Sequence, residues 1–218
     1  GALDVTIYPV VRAWGFTTGA YRVPDDGELT ALLERVDYRQ AALEGNRLTL
    51  PEGVELDLGA VAKGYTGDQL MALLAREGIA SAIVELGGNV QALGAKPDGS
   101  PWRVALQAPE GGYAGVLEIV DKAVVTSGGY QRYFEQDGEI YWHIIDPAQG
   151  RPARSGLQSV TIVADEGTLC DGLSTALFVM GREEALDFWR TRNDFECVLI
   201  SEDNTVTITE GLEGSFSL

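Results

Sequence analysis

Tyr133 to Gln136 and Glu139 to His143 flank the pair Asp137-Gly138, and that pair constrains the fold more than any other feature of the chain. An Asp-Gly step between β-prone runs favours the turn whose twist matches two paired antiparallel strands. At least one antiparallel hairpin is therefore expected, and the same pattern recurs along the chain. Trp102 to Leu106 and Val116 to Val120 alternate, and Val124-Val125 closes on Thr126-Ser127-Gly128-Gly129. Ser159 to Ala164 is another strand-like run, and Glu196 to Ile200 turns through Asp203-Asn204 into Thr205 to Thr209. Ala82 to Leu86 reads as an apolar strand broken by Gly87-Gly88, while Arg47 to Leu50 and Val54 to Leu56 read as short strands around Pro51-Glu52-Gly53. Leu3 to Val11 is apolar and β-branched, and leads through Trp14-Gly15-Phe16 into a polar stretch.

Four segments break the strand rhythm with helical spacing. Leu29, Leu32, Leu33 and Val36 mark a short amphipathic helix over 28–36. A longer one is expected over 61–76, burying Leu70, Leu73 and Leu74 and ending at Gly78. The others cover 168–180, stopped by Gly181, and 183–192. Hairpins with a few long helices make an α+β fold, in one domain or one split into two lobes. The 27 glycines among 218 residues exceed the roughly 7% norm and fit many tight turns.

Charge excludes several partners. With a net charge of −17 and a pI near 4.3, the chain lacks the cationic surface that a nucleic-acid backbone or an anionic membrane requires. A phosphorylated small molecule would be repelled unless a cation or local amides intervened. Cys170 and Cys197 are too few for a disulfide framework or a zinc cage, and whether they pair is left open. No uncharged stretch approaches the ~18 residues of a membrane helix. The chain starts Gly1-Ala2 without methionine, which is compatible with a removed export signal.

Three constellations could carry chemistry. Asp171 and Thr175 lie four apart on an expected helix, so they share a face one turn apart. A carboxylate and a hydroxyl there suit Mg²⁺ or Ca²⁺; alternatively Asp171 is a partly exposed helix-start carboxylate that favours the helix terminus, and Thr175 bonds a carbonyl. Asp57 to Gly64 (DLGAVAKG) turns through glycine into a helix, a place for an anion, or else an ordinary connection with Lys63 solvated. It matches neither common nucleotide fingerprint. His143, the single histidine, is structural or a proton carrier, having the one side chain whose unperturbed pKa, about 6.5, suits proton transfer near neutrality. Ser127 has no nucleophile elbow around it and reads as part of a turn.

Taken in order, these segments resemble the ApbE-type FAD:protein FMN transferases, a family of magnesium-dependent bacterial flavin transferases. The resemblance rests on Ala2 to Thr6 with Pro9 and Trp14-Gly15-Phe16, on Asp57 to Tyr65 (DLGAVAKGY), and on Glu85-Leu86-Gly87-Gly88. It continues through Thr126 to Tyr130, through His143 to Pro147 (HIIDP) with Gly150 and Pro152, and through Asp171 to Leu177 (DGLSTAL). It implies one ApbE-like domain over 1–218, two-lobed, with FAD held between the lobes as substrate. Asp171, Thr175 and the Ala60 carbonyl would bind Mg²⁺. Ala2, Leu3 and Asp4 would touch the flavin part of the site, and Asp57, Lys63 and Ile145 would line the rest. His143 would take the proton of an acceptor threonine or serine on a target flavoprotein, and AMP would leave. The resemblance further implies an extracytoplasmic location. Two departures accompany it: the family's additional N-terminal sequence is not in this chain, and some members carry an acid where Ser174 stands. Hydrolysis of FAD to FMN and AMP, or a flavin-binding module without catalysis, are the alternatives.

Overall fold

Runs that alternate in the sequence pair as strands, and every ladder in the computed structural model, which describes residues 1–218, is antiparallel. In chain order the elements are α1 (Tyr8–Ala13), α2 (Asp26–Leu33), β1 (Ala42–Glu44), β2 (Arg47–Thr49), α3 (Ala62–Arg76), β3 (Ala82–Glu85), β4 (Asn89–Leu93), β5 (Trp102–Gln107), β6 (Tyr113–Ile119) and β7 (Ala123–Gly128). They continue with β8 (Tyr133–Gln136), β9 (Glu139–Trp142), β10 (Ile145–Asp146), β11 (Arg151–Pro152), β12 (Leu157–Ala164), α4 (Gly167–Met180), α5 (Arg182–Arg190), β13 (Phe195–Ser201), β14 (Val206–Ile208) and β15 (Phe216–Ser217). The chain divides into two compact units. The first comprises Gly1–Leu58 with Gly129–Arg154, the second Gly59–Gly128 with Ser155–Leu218.

The first unit is built on aromatic packing. The apolar run from Leu3 becomes a helix at Tyr8 because Pro9 sits in the first turn, where its missing N–H costs no helical bond and its fixed φ suits the helix. The Asp25 carboxylate caps α2 by accepting from the Glu28 N–H at 2.8 Å. Val10, Trp14, Phe16, Leu29, Phe134 and Ile145 form the buried cluster. The Phe134 ring stacks on Tyr21 and on Tyr141, with centroids 5.1 and 5.2 Å apart. β8 and β9 pair as the Asp-Gly step requires, with Asp137 and Gly138 both at positive φ (55° and 80°). One expected strand is absent: Val54 to Leu56 is irregular, and β2 pairs with β1 across a turn containing Gly45.

In the second unit a six-stranded sheet, ordered β14-β13-β12-β7-β4-β3, is sandwiched. One face, through Val124, Val163 and Val198, packs on Val104, Leu106, Leu117 and Ile119 of a three-stranded sheet ordered β15-β6-β5. The other face carries α4 over β12 and β7, α3 over β4, and α5 over β13. β12 is buried on both faces, which is why it reads as a nearly continuous β-branched run. β4 escaped sequence reading for the opposite reason. Two of its three buried positions, Asn89 and Gln91, are polar and the third, Ala92, is small, so the usual apolar-inward signal is weak. The expected buried face of α3 is corrected in part: Leu70 and Leu74 are half-buried, Leu73 is 41% exposed, and the fully buried residues are Gly64 and Gly67, because the helix backbone lies against α4 and β4. Both cysteines are buried and free, and no helix is long and apolar enough to cross a membrane.

Candidate active site

Neither α3 nor α4 is capped by a side chain of its own N-cap residue. Each is capped by the other. Asp68, on the second turn of α3, accepts from the Gly167 and Thr168 N–H groups at 2.6 and 2.9 Å, and Asp171, on the second turn of α4, accepts from the Gly64 N–H at 2.8 Å. This exchange satisfies N-terminal donors that would otherwise be orphaned and sets a negative charge at each positive helix end. It demands close backbones. A Cβ on Gly64 would collide with the Gly167 carbonyl, and one on Gly167 or Gly67 with the Gln91 amide. Gln91 fills the remaining space and donates from Nε2 to the Gly64 carbonyl at 3.0 Å.

Asp171 is therefore not the partly exposed helix-start carboxylate expected from spacing. It is 5% exposed, and the helix start it serves is that of α3, not its own. Burial pushes its carboxyl above the ordinary range, opposed by the Gly64 N–H and the Lys63 charge. Around it lie hydroxyls. Ser127 Oγ is 2.7 Å from Ser174 Oγ and 3.3 Å from Thr175 Oγ1, and Ser174 also donates to the Asp171 carbonyl at 2.9 Å. Ser127 is thus corrected as well: it is a residue of β7 paired with Val160, on the face toward α4, and not part of a turn. Nothing in the sequence marked it as a neighbour of residues 47 and 48 positions away.

The chain contains no group of three or more His, Cys, Asp or Glu side chains able to hold a metal. A cation here would use one carboxylate with neutral oxygens. Such a set fits a hard divalent ion, which takes few protein ligands and fills its shell with water and phosphate oxygens. Ala60 also fits. The α3 ladder opens with the Tyr65 N–H bonding the Val61 carbonyl, and the Gly64 N–H goes to Asp171, so the Ala60 carbonyl stays outside the helical ladder. A raised carboxyl pKa is the condition that a bound cation reverses. Lys63 is not simply solvated: its Nζ donates to the Gly87 carbonyl at 3.0 Å and ties the Gly87-Gly88 turn to the start of α3.

The remaining candidates belong to the first unit. His143 follows β9, and its Nδ1 lies 3.1 Å from the Arg132 carbonyl. A carbonyl only accepts, so the neutral ring carries its proton on Nδ1 and its lone pair on Nε2. The Phe16 ring meets the imidazole edge-on at 6.3 Å. Asp4 is buried, with Oδ1 accepting from the Thr6 N–H and hydroxyl at 2.9 and 2.6 Å and Oδ2 accepting from the Tyr38 N–H at 3.1 Å. Ala2 and Leu3 are half-buried just before it. The Asp57 N–H donates to the Val5 carbonyl at 2.7 Å, which joins two of the sequence segments singled out above. Ile145 places its side chain in the aromatic core.

The model of the ApbE family matches residues 1–199. The chain is 42% identical over 193 residues to the FAD:protein FMN transferase of Vibrio cholerae, covering 85% of this chain and 58% of that protein. It is 36% identical over 231 aligned positions to that of Treponema pallidum, covering 97% and 64%. Among solved structures, the ApbE protein of Thermotoga maritima superposes with a TM-score of 0.91 at 35% identity over 99% of this chain and 72% of that one. The flavin transferase ApbE of Vibrio cholerae gives 0.87 at 35% identity over 99% and 71%. The chain spans about three fifths of the length of the curated relatives it matches.

Proposed function

The chain belongs to the ApbE family, and from that premise we propose that it transfers FMN from FAD to a threonine or serine hydroxyl of a partner flavoprotein, releasing AMP. The observation that carries the reading is Asp171, a buried carboxylate held at the start of α3, on the same helix and within about one turn of the Ser174 and Thr175 hydroxyls that meet Ser127. Asp171, Thr175 and the Ala60 carbonyl would hold a magnesium ion, which when bound supplies the positive charge that a diphosphate needs in a protein of net charge −17. Asp171 stays anionic for that role once its charge is matched. His143 accepts the proton of the acceptor hydroxyl on Nε2, its Nδ1–H being committed to Arg132. The hydroxyl oxygen bonds to the FMN-side phosphorus, the bond from that phosphorus to the bridging oxygen breaks, and AMP departs with that oxygen. Ala2, Leu3 and Asp4 would border the flavin portion, with Asp57, Lys63 and Ile145 along the remainder. Ile145 would do so through its backbone, since its side chain is in the core. An extracytoplasmic location belongs to the same proposal.

Incubation of the protein with FAD, Mg²⁺ and a threonine-bearing acceptor peptide, read by mass spectrometry, tests this. Covalent FMN on the peptide supports transfer. Free FMN with AMP and unmodified peptide replaces it with hydrolysis, and intact FAD reduces the protein to a binding module.

A further inference from the structure

Asn89 opens β4 and is fully buried. Two residues on, Gln91 donates from Nε2 to the Gly64 carbonyl at 3.0 Å, which fixes the orientation of its amide. That same nitrogen lies 3.3 Å from Asn89 Oδ1. Asn89 therefore presents its oxygen to Gln91, since a flipped amide would set donor against donor. Its Nδ2 is directed away, and this nitrogen has no hydrogen-bond partner. Buried amide donors are rarely left unmade. The direction is given by register. Asn89 pairs with Val125 and Gln91 with Ala123, so the side of Asn89 away from Gln91 is the side of Ser127, two residues beyond Val125 on the same sheet face. Ser127 touches Ser174 and Thr175, and Lys63 holds the Gly87 carbonyl two residues before Asn89.

We propose that Asn89 is a substrate-binding residue whose Nδ2 donates to a phosphoryl oxygen of the dinucleotide's diphosphate. The proposal rests on the flavin-transfer reading and adds to it a neutral amide donor beside the Lys63 ammonium and the Ser127, Ser174 and Thr175 hydroxyls. The neutrality matters in so acidic a protein, because an amide binds an anionic oxygen without needing a counter-charge of its own. The orphaned donor is then a feature of the free protein that bound diphosphate resolves.

Calorimetric titration of FAD, ADP and riboflavin, each with Mg²⁺, into the wild type, Asn89→Leu and Asn89→Ala tests the assignment. FAD and ADP should each weaken roughly 10- to 100-fold in both variants, the range for a hydrogen bond to a charged group. Riboflavin, which has no phosphate, should bind unchanged, and the melting temperature of the unliganded Asn89→Leu protein should hold or rise. Unchanged FAD and ADP affinity in both variants would overturn the inference alone and make the partner of Nδ2 an internal water. Equal weakening of riboflavin would overturn it in favour of a structural role. A wild type that binds none of the three would overturn the flavin-transfer reading itself, and this proposal with it.

Discussion

The two units set their candidate polar groups in different surroundings. In the second, the groups around Asp171 are buried and fastened across the fold: the Gly64–Asp171 and Gly167–Asp68 bonds join residues 107 and 99 positions apart. In the first, short and long ties are mixed over an aromatic and apolar core: the His143 Nδ1 lies by a carbonyl 11 positions away and its ring edge-on to Phe16, while Asp4 accepts from an amide 34 positions away and Trp14 Nε1 donates to the Gly150 carbonyl 136 positions away. A group fastened across the fold cannot be altered without disturbing the elements it joins. A half-buried side chain at the end of a strand, such as His143, can. Substitutions in the second unit that remove a buried acceptor or add bulk between the helices should therefore move stability and chemistry together, whereas those that keep the acceptor, and those at His143, should separate them.

The largest expected effect is at His143. His143→Ala should lose roughly 10²–10⁴-fold in FMN transfer while losing little stability by comparison, because the half-buried ring lies at the edge of the buried cluster, edge-on to Phe16. Wild-type transfer should also fall as the pH drops and the imidazole protonates, and this dependence should vanish in the variant. Near-normal transfer by His143→Ala would make the ring structural. Next in size, Gly64→Ala and Gly167→Ala should each destabilise by about 1–3 kcal/mol or more in urea unfolding, since the added Cβ meets a fixed carbonyl in one case and the Gln91 amide in the other. Gly19→Ala, where nothing lies within 4 Å of the added carbon, supplies the contrast in the first unit: only the positive φ of 77° is penalised, about 1 kcal/mol.

Asp171 separates capping from cation binding. Asp171→Ala leaves the Gly64 N–H without its acceptor and should cost about 1–3 kcal/mol, whereas Asp171→Asn keeps an acceptor oxygen and should retain wild-type stability. Both should lose Mg²⁺-dependent FAD turnover. Unchanged Mg²⁺ affinity of either variant in the FAD complex would remove Asp171 from the ligand set. The same carboxyl has a pH signature. Its folded pKa is raised, so its contribution to stability is fully present below the unfolded carboxylate value, near 4, and is lost as the pH rises through the folded value. Without divalent cation, unfolding curves across that range should be flatter for Asp171→Asn than for the wild type. The smallest effect on stability is expected at Lys63→Met, which removes one partly solvated bond to the Gly87 carbonyl and should cost about 0.5–1.5 kcal/mol in urea unfolding.

Much of this was legible from residues alone. The hairpin across Asp137-Gly138, the strand over Ser159 to Ala164 and the helix stopped by Gly181 formed where local signals set them, because turn conformation, alternation and helix termination act over a few residues. The family resemblance likewise lay in short contiguous motifs, and the family model matches them. What the tertiary structure alone decided is which distant groups share a space. Ser127 became a neighbour of Ser174 and Thr175 only when β7 lay beneath α4, and Asp171 became the cap of a helix that starts more than a hundred residues earlier. β4 gave a weak signal because two of its three buried residues are amides, and the buried face of α3 was misplaced because its fully buried residues are glycines, the leucines being half-buried or exposed. Periodicity reports burial driven by apolar area, which is summed residue by residue along an element. A hydrogen bond or a close backbone contact is a property of two segments at once, and neither segment records it until both are folded.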